Sequence, residues 1–131
     1  MNNEAIIVAK KYYNAMFFEK NPNVVKECFP KEFLFNGRSM TSEKILELVT
    51  RLIFSSFHDI KIEVTHQFGD KEWVATRLLF SGVHEGKYRD IEPTHKRVEF
   101  QSIGLDRVVN GKIVDMWHEQ DIDGILQQLN S

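Results

Sequence analysis

The sequence predicts an α+β domain: a curved antiparallel sheet packed on three N-terminal helices, with a short helix closing the chain. Three observations carry this. Apolar residues recur at three- and four-residue steps through the early part of the chain. From "FHDIKIEV" (57–64) onward the period changes to two. The later strands are joined by turns and one longer loop rather than helical crossovers, which makes their pairing antiparallel.

Asn2 or Asn3 followed by Glu4 starts the first helix, with Ile6, Ala9, Tyr13, Met16 and Phe17 on one side and Lys10, Lys11 and Asn14 on another. "EKNPN" (19–23) ends it. Pro22 suits a first helical position, so "PNVVKECF" (22–29) reads as a second, short helix. "KEFLFNG" (31–37) is a short strand ending at Gly37. Thr41, with Glu43 in the first turn, caps a third helix whose apolar face is Ile45, Leu46, Val49, Leu52 and Ile53. Strands are expected near 58–68, 72–84, 95–108 and 112–121, with a turn at "GDKE" (69–72). Asn110-Gly111, flanked by "DRVV" and "KIVDMW", is the strongest hairpin signal in the chain. "EGKYRDIEPTH" (85–95) is a longer loop, and "DGILQQLN" (123–130) is the closing helix.

A length of 131 residues without repeat, low-complexity tract or linker predicts one domain spanning 1–131. Hydrophobic content of 42%, charged content of 27% and a formal net charge of −2 exclude a basic nucleic-acid-binding stripe and a polybasic membrane segment. Ten Phe, three Tyr and two Trp suit either a Phe-rich core or a domain with a lined cavity. Cys28 stands alone, which excludes an intramolecular disulfide and a thiolate metal cluster. No basic-then-apolar leader and no apolar run of spanning length is visible, so a reducing cytoplasm is the expected compartment.

A curled sheet with helices against its concave side makes a cone, and a pocket remains at the open end wherever the facing side chains do not fill it. Along "VDMWHEQD" (114–121), Trp117, Glu119 and Asp121 alternate with Met116, His118 and Gln120. The indole and both carboxylates therefore share a face. Asp121, ending the last long strand, is placed near the mouth of the cone.

"GVHEGKYRDIEPTHKRVEFQSI" (82–103) and "DRVVNGKIVDMWHEQDIDGILQQL" (106–129) resemble the signatures of SnoaL-like domains, the polyketide and ester cyclase group of the nuclear transport factor 2-like superfamily. "AKKYYNAMFFEKN" (9–21) resembles the family's first helix and "FHDIKIEV" its first long strand. The resemblance implies a cystatin-like α+β barrel and, in the cyclases among its members, an aspartate acid/base matched here by Asp121. It also implies that Tyr13, Asn36, Arg77 and Trp117 face the cavity or its rim. His84, Pro93, Thr94, Lys96 and Arg97 match the family's loop. Gly104 stands where many members have histidine, and His95 where glycine is usual.

The chemistry so implied is aldol ring closure or isomerisation of a small cyclic or aromatic molecule. A carboxylate behind apolar walls has its pKa raised toward working pH and becomes a better base. Tyr13 or Asn36 would donate to the enolate oxygen, Arg77 would hold negative charge, Trp117 would form a wall, and Glu119 would couple to Asp121 on the same face. Asp121 has a second reading, as N-cap of the closing helix, which would lower its pKa instead; Asp123 could also be that cap. Arg77 could equally bridge to Glu119, which reads as a rim or salt-bridge residue more readily than as a second acid, and Tyr13 could equally be a core residue with its hydroxyl tied up. Two further functions fit the residues: a non-catalytic binding domain, and epoxide opening with Arg77 between two acids. "HEGKY" and "HEQDI" lack a second histidine four residues on, and there is no phosphate loop, dinucleotide fingerprint or Gly-x-Ser-x-Gly elbow, so no metal or cofactor is expected. The expected partners are a small-molecule ligand and a second copy docked through the outer sheet face.

Overall fold

A computed structural model describes residues 3–131. Asn3 caps helix α1 (Glu4–Tyr13), its side-chain oxygen accepting from the Ile6 N–H at 3.1 Å; Asn2, the other expected start, lies outside the described residues. Ala5, Val8, Ala9, Tyr12 and Tyr13 are buried while Lys10 and Lys11 stay in solvent. The helix widens into a π-helical turn, Asn14–Phe18, before breaking. That wider turn lets Phe17 stack parallel to Tyr13, ring centroids 6.5 Å apart. Helix α2 (Val24–Cys28) buries Val24, Val25 and Cys28. Helix α3 (Ser42–Val49) is capped by Thr41, which accepts from the Lys44 N–H, and it too runs into a π-helical turn, Thr50–Phe54.

Six strands form one sheet in the order β2-β1-β6-β5-β4-β3. The long strands β3 (Phe57–Asp70), β4 (Trp73–His84), β5 (Arg97–Val109) and β6 (Lys112–Gln120) pair antiparallel in sequence order. The segment read as a single strand ending at Gly37 is a hairpin of β1 (Glu32–Phe35) and β2 (Arg38–Thr41). Asn36 and Gly37 turn it with φ of 50° and 81°, as Asn110 and Gly111 turn β5 into β6 with 51° and 77°. Both are Asn-Gly turns, whose two central residues need the left-handed region. β1 also lies parallel to β6, so the sheet is mixed at that edge rather than wholly antiparallel.

β4 and β5 alternate strictly. Val74, Thr76, Leu78 and Phe80 on β4, and Val98, Phe100, Ser102, Asp106 and Val108 on β5, are buried beneath the helices. The concave face packs against α1, α2 and α3, while α4 (Ile122–Leu129) buries Ile125 and Leu129 at the other end, beside Phe57, Phe80, Val98 and Phe100. No helix among the described residues is long and apolar enough to cross a membrane.

Candidate active site

Helices and sheet do not fill the space between them. A cavity of about 620 Å³ remains, walled by Phe17, Phe35, Leu78, Phe80, Phe100 and Met116 among other apolar side chains. Among the polar groups that interrupt those walls are Tyr13 from α1, Ser102 from β5, and His118 and Gln120 from β6. Arg51, Lys87, Arg89 and Asp90, all exposed, surround the opening.

The inward set on β6 is therefore Met116, His118 and Gln120, and the set expected to line the pocket is the outward one. A single-residue β-bulge decides this. Val109 pairs with Lys112 and Val108 with Ile113, as an Asn-Gly hairpin requires. The register then slips at Val114: Arg107 pairs with Asp115, Asp106 with Met116 and Gly104 with His118. Unbulged, the same turn would have set Trp117 opposite Gly104 on the concave face. One extra residue reverses every side chain beyond it.

The expected site residues divide accordingly. Tyr13 lines the cavity. Trp117 is 44% exposed on the outer face, its ring against the Gly37 turn. Glu119 is exposed on the same face. Arg77 also points outward, donating from Nε and one terminal nitrogen to Gln101 Oε1 and from the other to Thr65 Oγ1, so the Arg77-between-acids geometry of epoxide opening is not formed. Asp121 corrects the central expectation: it lies past the strand, exposed, and its Oδ1 accepts from the Gly124 N–H at 3.0 Å as N-cap of α4. The helix start draws it away because an open N-terminus offers an unpaired donor. Asn36 does not line the cavity. Its Oδ1 accepts from the His118 N–H at 2.9 Å and its Nδ2 donates to the His118 carbonyl at 3.4 Å, so the side chain extends the β1–β6 ladder by one rung and fixes the backbone of His118.

The acid buried here is one the sequence reading passed over. Tyr13 Oη donates to Asp106 Oδ2 at 3.1 Å, beneath the cavity wall. Burial pushes the Asp106 carboxyl up to about 7; the Tyr13 hydrogen bond pulls it down, and nearby Asp115 pushes it up again. One oxygen on each of these two acids is buried without a hydrogen-bond partner among the described residues. Burial, then Asp106, raise the Tyr13 phenol well above its ordinary value. His118 is half-buried and lines the cavity, and burial lowers its pKa to about 4. The imidazole is therefore neutral near pH 7.

Gly104 brings these groups together. A Cβ there would stand 2.5 Å from Tyr13 Oη and 3.1 Å from His118 Nδ1. Glycine allows the phenol and the imidazole to converge on one point over β5, which is what a larger residue at this position would prevent. Serine or aspartate on β5 would have been flagged from sequence by the strict alternation with Arg97, Glu99, Gln101 and Arg107. That parity marks Ser102, Gly104 and Asp106 as inward. No group of His, Cys, Asp or Glu among the described residues is arranged to hold a metal ion.

Comparison with known proteins agrees with this architecture. TsrD from Streptomyces laurentii superimposes with a TM-score of 0.85 at 18% identity, covering 98% of this chain and 97% of that one. A SnoaL-like polyketide cyclase from Agrobacterium tumefaciens gives 0.82 at 19% identity, covering 98% and 99%. In sequence, nogalonic acid methyl ester cyclase from Streptomyces nogalater is 37% identical over 57 residues, a stretch spanning 44% of this chain and 42% of that protein's length. The family model described as SnoaL-like polyketide cyclase matches residues 7–129. A cone with its cavity between sheet and helices, matched over nearly its whole length, places the chain in the SnoaL-like polyketide cyclase family.

Proposed function

We propose that the cavity binds a small cyclic or aromatic carbonyl compound and catalyses cyclase-type aldol closure or isomerisation, with His118 rather than Asp121 handling the proton. The observation that carries this reading is the convergence of a neutral histidine and a buried tyrosine inside an apolar cavity.

In this scheme a proton passes from the carbon next to a substrate carbonyl to the His118 imidazole. The enolate oxygen gathers charge beside Tyr13, the new C–C bond forms at a second carbonyl, and His118 returns its proton to the resulting alkoxide. In triosephosphate isomerase a neutral imidazole polarises the substrate carbonyl, and in ketosteroid isomerase a protonated buried aspartate donates a hydrogen bond. Asp106 sets which way the phenol points. Ionised, it accepts the Tyr13 hydrogen bond; protonated, it donates to the phenol oxygen and leaves the Tyr13 O–H free for the substrate.

The test is hydrogen–deuterium exchange at the acidic C–H of 2-tetralone in D₂O, followed by NMR. His118→Asn is expected to slow exchange by roughly 10²–10⁴-fold, the usual contribution of a positioned acid/base. Asp121→Asn should leave it unchanged. A dependence on Asp121 with indifference to His118 would reverse the assignment.

A second copy of the chain is the occupant we assign to the outer sheet face. Phe68, Ala75, Leu105 and Trp117 pair in one row across four strands, and Phe68 is 71% exposed. The adjoining row carries Ile103, 54% exposed, between Arg77 and Glu119, opposite charges that a two-fold-related copy can pair. Trp117→Glu should convert a dimer to a monomer in sedimentation; a monomeric wild type removes the assignment.

A further inference from the structure

The chain as a whole is acidic, with 19 Asp and Glu against 17 Lys and Arg, yet the charged residues that line the cavity are three cations and one acid. Arg51, Lys87 and Arg89 stand around the opening, and Asp90, its side chain 99% exposed, is the one acid beside them in the lining. The other polar groups of the lining are uncharged: phenols, hydroxyls, an amide and a neutral imidazole.

These cations are held in place by two segments stitched together. Arg51 lies in the π-helical turn after α3, and Lys87 and Arg89 lie in the 85–96 loop. The Glu85 and Gly86 N–H groups donate to the Ser56 carbonyl at 3.1 and 3.0 Å, and Ser56 Oγ donates to the Lys87 carbonyl at 2.8 Å. Gly86 permits the approach, since a Cβ there would stand 1.8 Å from the Ser55 carbonyl oxygen. At the loop's other end the Thr94 N–H donates to Nδ1 of fully buried His84 at 3.1 Å. The Arg89 guanidinium lies 5.9 Å over the ring of Tyr88, itself buried. Lys87 and Arg51 have loose ion-pair partners: Asp90 at 3.9 Å and Glu92 at 4.0 Å from Lys87, and Glu47 at 3.7 Å from Arg51. Such exposed pairs are weakly held, so an incoming anion can compete with these acids for the cations.

We infer that the ligand is an anion: a monoanionic cyclic or aromatic acid whose ring enters the cavity while its charged group stays at the opening among Arg51, Lys87 and Arg89. This rests on the cavity-binding reading above and narrows it from a neutral to an acidic substrate. The charged group would lie in water-exposed geometry, so its main gifts are orientation and a salt-dependent increase in association rate.

Two fluorescent probes with the same ring system separate the contributions: 1-anilinonaphthalene-8-sulfonate, which is anionic, and N-phenyl-1-naphthylamine, which is neutral. Each is titrated into the wild type and into the triple variant Arg51→Gln, Lys87→Gln, Arg89→Gln at low salt. The variant is expected to bind the sulfonate about tenfold more weakly, the sum of three modest exposed contacts, with its affinity for the neutral amine unchanged. Equal weakening of both probes, or unaltered sulfonate affinity, overturns the inference. If the wild type binds neither probe, the cavity-binding reading falls, and this inference with it.

Discussion

The two faces of β6 beyond its bulge carry similar residue types in opposite circumstances. On the outer face Trp117 and Glu119 meet solvent, and Asp121 caps a helix start with its carboxylate. On the inner face Met116, His118 and Gln120 meet the cavity, and His118 sits opposite Gly104 with the Tyr13–Asp106 pair beside it. An acid on the outer face keeps its contact with water. The acid and imidazole on the inner face have lost their water, and each is driven toward its neutral form. Chemistry here follows from the face a residue occupies more than from its type.

The largest effects that sharpen this comparison concern pH and stability. Asp106 has a folded pKa raised from 3.8 to about 7, so its contribution is fully present below its unfolded pKa and is lost as pH rises through 7. His118 has a folded pKa lowered from 6.5 to about 4, so its contribution is present above 6.5 and is lost as pH falls through 4. The two slopes oppose each other between about pH 4 and 6.5, each amounting to roughly 3–4 kcal/mol. Wild-type urea midpoints should accordingly stay nearly flat over that interval. Asp106→Asn should leave a stability that rises with pH, and His118→Gln one that falls. Parallel slopes in the two variants would mean that these groups are not buried as described.

A smaller effect comes from Gly104→Ala. The added methyl collides with Tyr13 Oη and His118 Nδ1, so overpacking should cost about 1–3 kcal/mol by denaturation. Exchange of 2-tetralone should fall with it while the fold persists. Smallest of all, Asp121→Ala removes a helix cap, and about 1 kcal/mol of stability is expected to go with it, with no change in exchange rate. A loss of exchange at Asp121→Ala would contradict the separation of the two faces.

Much of the architecture was legible from local pattern. The caps at Asn3 and Thr41 and the Asn110-Gly111 hairpin follow from side chains and φ preferences that act within a few residues. The Asn36-Gly37 turn carries the same signal and was read as a strand end, because "RSMT" after it shows no alternation to mark a returning strand. Tyr13 could be placed because α1 has only one stripe to bury. Asp106 was overlooked although its neighbours declare its parity: Arg97, Glu99, Gln101 and Arg107 need water, so Ser102, Gly104 and Asp106 must face the other way.

By itself the sequence determined that Trp117, Glu119 and Asp121 form one set along the last strand and Met116, His118 and Gln120 the other, since a strand repeats every two residues. Which set entered the cavity was decided only in the tertiary structure, by the bulge at Val114 and the Asn36 side chain that locks His118 beyond it. Pairing across strands sums the register of two segments, and one added residue reverses the outcome without changing either segment's own pattern.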